Sequence, residues 1–242
     1  MDKLEKYERM AADFEQNHQF NGYHHFRRLE IVLSFLRKLR RDLVILDAGC
    51  GDGLQLDRYS KSYLAFGVDI SLTRLKRARE KVKNNIVFSG DLLNIPIKDN
   101  KFDVVILGEV IEHIEEPVIV LKEIHRILKS SGYILLDTPS QSNIVDMILR
   151  LLGIEPKWGF KLDKTHLWFF EMNQVKELLQ RAGYMQVTVR GGPFIRYDLP
   201  IMHHCTWVKR RWWAYKVFDF TVGRLPILRQ LGAIQVFMAK KV

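Results

Sequence analysis

Apolar and polar positions alternate in two kinds of block along this chain. Continuous apolar runs occur at LVILDAG (43–49), YLAFGVDIS (63–71), NIVFSGD (85–91), FDVVILGE (102–109) and YILLDTP (133–139). Such runs predict strands covered on both faces. The segments between them carry helical signals. A short helix is expected near 53–61, and a basic one runs to Lys83 with Ser71 as its cap. Pro117 suits the first turn of a helix ending near Lys129, and Gly132 precedes the fifth strand. A helix from Glu171 to Ala182 stops at Gly183. YMQVTVRG (184–191) and AIQVFMAKK (233–241) read as a sixth and a seventh strand, and two helices, near 3–17 and 23–41, lead the chain.

Strands alternating with helices predict an α/β fold, a Rossmann-like doubly wound and mostly parallel sheet. The whole chain, 1–242, reads as one domain. Leading helices occupy 1–42 and a cofactor-binding core 43–139. Residues 140–170 and 193–230 break the alternation and read as insertions covering a substrate site.

In such a sheet, ligands bind beyond the carboxyl ends of the strands. Gly49-Cys50-Gly51-Asp52-Gly53 sits at the end of the first strand. Its glycines permit positive φ and close approach of a ligand to the backbone. The dinucleotide fingerprint GxGxxG needs a further glycine at position 54, where this chain has Leu54. The pattern is instead Asp47-x-Gly49-x-Gly51-x-Gly53, which favours a cofactor without phosphate. Asp69 closes the second strand, where an acid can accept from both hydroxyls of a ribose. Asp91 follows the third strand, placed to accept from an adenine amino group, with the Leu92 amide donating to the ring.

The motifs ILDAGCGDG, GVDIS, SGDLLNIP, FDVVILGEVIEHIEEP and LKEIHRILKSSGYILLDTP resemble those of class I S-adenosylmethionine-dependent methyltransferases. Within that family the chain is similar to the ubiquinone-biosynthesis O-methyltransferase group, from about Val44 to Gly191. The resemblance implies seven strands with the last antiparallel, and S-adenosyl-L-methionine as cofactor. It implies contacts at Gly49, Gly51, Asp69, Asp91, Leu92 and Gly108. With Asp47, Ile70 and Glu109, these form the candidate cofactor set.

Methyl transfer from a sulfonium is an in-line displacement with a good leaving group, so alignment and exclusion of water carry much of the catalysis. An acceptor hydroxyl must also lose a proton. His113, just after the fourth strand, is the candidate general base, because an imidazole titrates near neutrality. His166, in DKTHLWFF, is the second candidate. Glu109-x-x-Glu112-His113 resembles the ExxEH metal motif of quinone O-methyltransferases and of small-RNA 3′-end methyltransferases. Similar sequences also occur in metal-independent relatives, so no metal is expected; if one binds, Glu109, Glu112 and His113 are its ligands. Tyr7 and Tyr23 could close over the cofactor. Neither the pairs His24–His25 and His203–His204 nor the two thiols, Cys50 and Cys205, are given a metal role.

The net charge of +10 is uneven. Residues 196–242 hold nine Lys/Arg against two acids, and residues 24–42 six against two, while 43–195 is nearly balanced at twenty against nineteen. Basic charge thus belongs to the flanks. Thr206–Trp213 interleaves Arg and Lys with Trp, a pattern suited to a membrane interface. The expected acceptor is a small or lipid-like molecule, with membrane-surface contact through 196–230. No RRM or KH signature is visible, and nucleic acid is not the expected partner; the alternative readings are an RNA methyltransferase, which the basic flanks and ExxEH permit, and a catalytically silent cofactor-binding protein. A charged N-terminus and the lack of an 18-residue apolar run predict a cytoplasmic protein, with peripheral membrane association as the finer expectation.

Overall fold

The computed structural model describes residues 4, 5, 7, 8, 22–82, 86–140, 148, 151–153, 165–192 and 232–242. Its helices are α1 (Gly22–Leu36), α2 (Leu56–Tyr59), α3 (Leu72–Lys81), α4 (Pro117–Ile127) and α5 (Met172–Arg181). Its strands are β1 (Val44–Ala48), β2 (Leu64–Asp69), β3 (Ile86–Ser89), β4 (Phe102–Gly108), β5 (Leu128–Pro139), β6 (Tyr184–Gly192) and β7 (Ile234–Lys241). One sheet runs in the order β3-β2-β1-β4-β5-β7-β6. Every pairing is parallel except those of β7, which lies antiparallel between β5 and β6. The expected α/β sheet of seven strands with an antiparallel last strand is what forms.

Alternate residues of the central strands feed two apolar layers. Ile45, Val104, Ile106, Leu135 and Val236 meet α1, α2 and α3 through Phe35, Leu36, Leu56 and Leu75. Leu46, Val105, Leu107, Leu136 and Phe237 meet α4 and α5 through Leu121, Ile124, Val175 and Leu179. Each such side chain taken fully out of water contributes roughly 1.5–3 kcal/mol. This two-sided burial is why the strands read as unbroken apolar runs.

Two boundaries differ from expectation. The first long helix ends at Leu36, not near residue 41. Four cations crowd Arg37-Lys38-Leu39-Arg40-Arg41, and the amides of Lys38 and Leu39 make short-span bonds to Phe35 and Leu36 that tighten and end the turn. Arg40 then leaves the helix to pair with Asp42 and Asp103. The fifth strand starts at Leu128, directly after α4, instead of after Gly132. Its pairing with β4 shifts register between Phe102 and Val104, and Ser131 takes φ 63°, so the strand begins before a bulge that hides its start.

The order of strands reverses between β1 and β4. A parallel sheet opens a crevice beyond the strand ends at such a switch point. The segments leaving it are the glycine loop after β1 and Glu109 after β4.

Candidate functional site

The glycine loop turns back on itself as soon as β1 ends. The amides of Gly49 and Cys50 both donate to Val68 O (2.7 and 3.0 Å), holding the loop against β2. Gly49 has φ +76°, and a Cβ there would lie 2.5 Å from Val110 Cγ2, so no other residue fits without displacing the turn after β4.

Asp69 fastens this arrangement. Its Oδ2 accepts from the Gly51 amide (2.8 Å) and its Oδ1 from the Ser71 amide (2.9 Å). Each carboxylate oxygen has a second lone pair, so both bonds are compatible with a diol ligand. Burial raises the Asp69 pKa, against the opposing pull of these two amides and Arg74. Ser71 then caps α3, accepting from the Arg74 amide, as its sequence position implied. Asp91, half-buried after β3, folds its own turn: Oδ1 accepts from Leu93 N (3.0 Å) and its carbonyl from Asn94 N (3.0 Å). Leu92 is buried beside it and Ile70 follows Asp69, so the candidate cofactor residues of β1, β2 and β3 stand at the carboxyl ends of adjacent parallel strands.

A buried ionic cluster lies on the β4–β5 side. Arg28 reaches in from α1, 5% exposed, and is ion-paired with Glu109 and with Asp137 Oδ1 (3.3 Å) at the end of β5. Gln55, after the glycine loop, meets the same guanidinium with its amide oxygen and Tyr59 with its nitrogen. Asp47, Glu112 and Asp137 surround this single cation. Burial raises the carboxyl pKa of Asp47 to about 7, with Arg28 pulling the other way. Burial likewise raises Asp137, against Arg28, and lifts Glu112 well above the ordinary range with help from Glu109.

Sequence reasoning did not single out Arg28, though a signal existed. Arg28, Ile31, Val32 and Phe35 follow i, i+3, i+4, i+7 spacing and share the buried stripe of α1. A cation on such a stripe must find partners inside.

After β4 the chain makes a tight turn. Glu109 takes φ 52° and donates its amide to Asp137 O (3.1 Å), and a 3₁₀ turn spans Ile111–His113. This turn separates the three residues of the Glu109-x-x-Glu112-His113 motif. Glu109 is held by Arg28. Glu112 is buried, with Oε2 accepting from Thr138 Oγ1 (3.3 Å) and Oε1 lacking a hydrogen-bond partner among the described residues. His113 faces the segment that returns from the insertion: its Nδ1 lies 3.1 Å from both Thr165 O and Thr165 Oγ1. The His113 and His166 rings meet edge to face at 4.7 Å. The amides of Leu167 and Trp168 donate to Glu112 O, and Trp168 Nε1 to Ile114 O (2.7 Å), locking this approach. The two candidate catalytic histidines are therefore adjacent despite 52 intervening residues.

The expected alternative metal set does not assemble as a unit. Among the described residues, Glu112, His113 and His166 bring ligand atoms within 4.8 Å of one another. His166 replaces Glu109 in that cluster, because Arg28 holds the Glu109 carboxylate. No helix among the described residues is long and apolar enough to cross a membrane. The insertion at 193–230, with Thr206–Trp213, Cys205 and the His203–His204 pair, lies outside the described residues, as does most of 140–170 and the side chains of Tyr23, His24 and His25.

A family described as a methyltransferase domain matches residues 46–136, from within β1 to within β5. A demethylmenaquinone methyltransferase of Staphylococcus carnosus is 32% identical over 166 residues, covering 60% of this chain and 69% of that protein. A probable S-adenosylmethionine-dependent methyltransferase of Mycobacterium tuberculosis is 27% identical over 184 residues, or 74% of this chain; the chain spans 62% of that relative's length. Among solved structures, a Thermotoga maritima methyltransferase described as a possible histamine N-methyltransferase superposes with a TM-score of 0.69 at 19% identity, over 98% of both chains. The glycine loop, the acids closing β2 and β3, the strand order and these matches converge: the chain belongs to the S-adenosylmethionine-dependent methyltransferases.

Proposed function

We propose that this protein transfers the methyl group of S-adenosylmethionine to an oxygen of a small or lipid-like acceptor, with His113 as general base and His166 beside it. The observation that carries this is the contact between His113 Nδ1 and Thr165 O. A carbonyl only accepts, so when Nδ1 donates to it, with the Thr165 hydroxyl at the same distance accepting as well, Nε2 keeps its lone pair. An imidazole fixed in that tautomer can take the proton an acceptor hydroxyl loses as it attacks the methyl carbon.

The cofactor sits along the crevice in this reading. Asp69 takes the ribose hydroxyls, Asp91 and Leu92 the adenine, and the glycine loop with Asp47, Gly108 and Glu109 the amino-acid end. The sulfonium and ammonium are cationic, and four carboxyls around one arginine leave the β4–β5 side of this crevice able to release protons and take on negative charge as a cation binds. The similarity to demethylmenaquinone methyltransferases supports a lipid-like acceptor. So do Leu167 and Trp168, exposed directly after His166.

The test is transfer of isotopically labelled methyl from S-adenosylmethionine to a panel of prenylated phenols and quinols, read by mass spectrometry. His113→Ala is expected to lower kcat about 10²- to 10⁴-fold while the protein remains folded. Wild-type turnover retained in His113→Ala removes the histidine from the chemistry.

A further inference from the structure

Arg28 divides one nitrogen between two acids. Its Nη1 is ion-paired with Glu109 and lies 3.3 Å from Asp137 Oδ1. The other side of the guanidinium is committed, since Nε and Nη2 both donate to the Gln55 amide oxygen. The two acids differ in what else can reach them. The Glu109 side chain is 24% exposed, in the turn that leaves β4 for the crevice. The Asp137 side chain is fully buried near the end of β5.

Asp137 is the incomplete partner. Its Oδ2 has no hydrogen-bond partner among the described residues. A buried carboxyl oxygen without a partner is costly, and folded proteins seldom leave one. The register of β4 on β5 sets Gly108 beside Asp137. A Cβ at Gly108 would lie 3.1 Å from this oxygen, so the missing side chain leaves it room. Oδ2 is too deep for a ligand in the crevice to touch. The group placed to use it is the guanidinium already at Oδ1. A guanidinium held by both oxygens of one carboxylate is the stronger form of such a pair.

We propose that Asp137 is a positioning residue for the cofactor: it takes over Arg28 with both carboxyl oxygens when Glu109 turns its charge to the ammonium of S-adenosylmethionine. This rests on the reading that Glu109 meets the amino-acid end of the cofactor. Without cofactor, Arg28 neutralises Glu109. With cofactor, the ammonium does so, and a guanidinium that cannot lose its charge needs another partner inside. Asp137 supplies one with no shift of the sheet, because the Glu109 amide already donates to Asp137 O at 3.1 Å. A ligand without the ammonium leaves Arg28 where it is. Asp137 thus selects for the amino group of a ligand it does not touch.

The experiment is titration calorimetry of the full chain with S-adenosylhomocysteine and with the analogue in which hydrogen replaces its amino group. It compares wild type, Asp137→Asn, Glu109→Gln and the double variant. An ionic contact to the ammonium corresponds to a wild-type preference of about 10- to 100-fold for the amino-bearing ligand. Asp137→Asn is expected to cut that preference about five- to tenfold and to leave affinity for the analogue unchanged. Glu109→Gln should remove most of the preference, and the double variant no more than Glu109→Gln alone. A crystal structure of wild type with S-adenosylhomocysteine should show Arg28 on both oxygens of Asp137; Arg28 still on Glu109 overturns the exchange whatever the variants do. Full preference in Asp137→Asn, or equal loss for both ligands, also overturns it and leaves Glu109 at the ammonium. Preference kept in Glu109→Gln overturns that placement, and the exchange with it.

Discussion

Arg28 of α1 is ion-paired with Glu109, the residue that leaves β4 with φ 52°. The pair joins the leading helix to the turn that carries His113. Removing one partner of a buried pair leaves an uncompensated charge, at about 3–5 kcal/mol. Arg28→Met is expected to destabilise the protein by that order in denaturant unfolding. Arg28→Met combined with Asp137→Asn should recover part of the loss, since the double variant removes a charge of each sign. Purely additive losses would show that the two groups are not coupled.

The buried acids set the pH dependence of the free protein. Asp47 and Asp137 each have a pKa raised from the carboxylate range to about 7, by burial against the opposing charge of Arg28. A carboxyl that binds its proton more tightly when folded favours folding at low pH, and this contribution is lost as pH rises through about 4 to 7. The free protein is expected to melt higher at pH 5.5 than at pH 8. A cationic cofactor opposes the same shifts, so its binding near pH 6.5 should release protons. Calorimetric binding enthalpies should then differ between phosphate and Tris buffers; equal enthalpies would contradict this.

Asp69 joins the glycine loop to the expected ribose position. Asp69→Ala is expected to weaken S-adenosylmethionine binding about 10- to 100-fold, the loss of hydrogen bonds to a charged group. Titration calorimetry against wild type reads this directly, and equal affinity would sink the assignment. The variant should also lose some thermal stability, because the amides of Gly51 and Ser71 lose their acceptor.

Activity is expected to survive exhaustive chelation. Glu112 is buried among acids that favour its neutral form, and Glu109 is held by Arg28, so the motif offers a poor anionic ligand set. Loss of turnover on chelation, restored by Mg²⁺ or Zn²⁺, would instead make Glu112, His113 and His166 a metal site.

The fold and the strand ends that carry the candidate cofactor residues were legible because both are local in sequence. Each buried strand is an apolar run, and Asp47, Gly49, Gly51, Asp69 and Asp91 lie at strand ends that the runs define. The relationships that organise the chemistry were not local. Arg28 lies 81 residues before Glu109 in the chain, and Thr165 lies 52 residues after His113, so only the folded sheet brings each pair together. The loss of Glu109 from the ExxEH cluster has the same origin, since spacing reveals a shared turn but not a distant cation that claims one member. Boundaries failed where long-range pairing overrode local preference, as at the bulged start of β5.

The placement of β7 has a consequence for how the chain is made. β7 is the last of the described strands in sequence, yet it sits between β5 and β6 and, among the described residues, supplies every strand partner that β6 has. Until residues 234–241 have left the ribosome, β5 presents an unpaired edge and β6 has no sheet to join. Such edges template association with other chains. The nascent protein must therefore hold most of a nucleated sheet unfinished until β7 has been made. Closure of that gap, more than the winding of any helix, marks the moment at which it becomes safe from its neighbours.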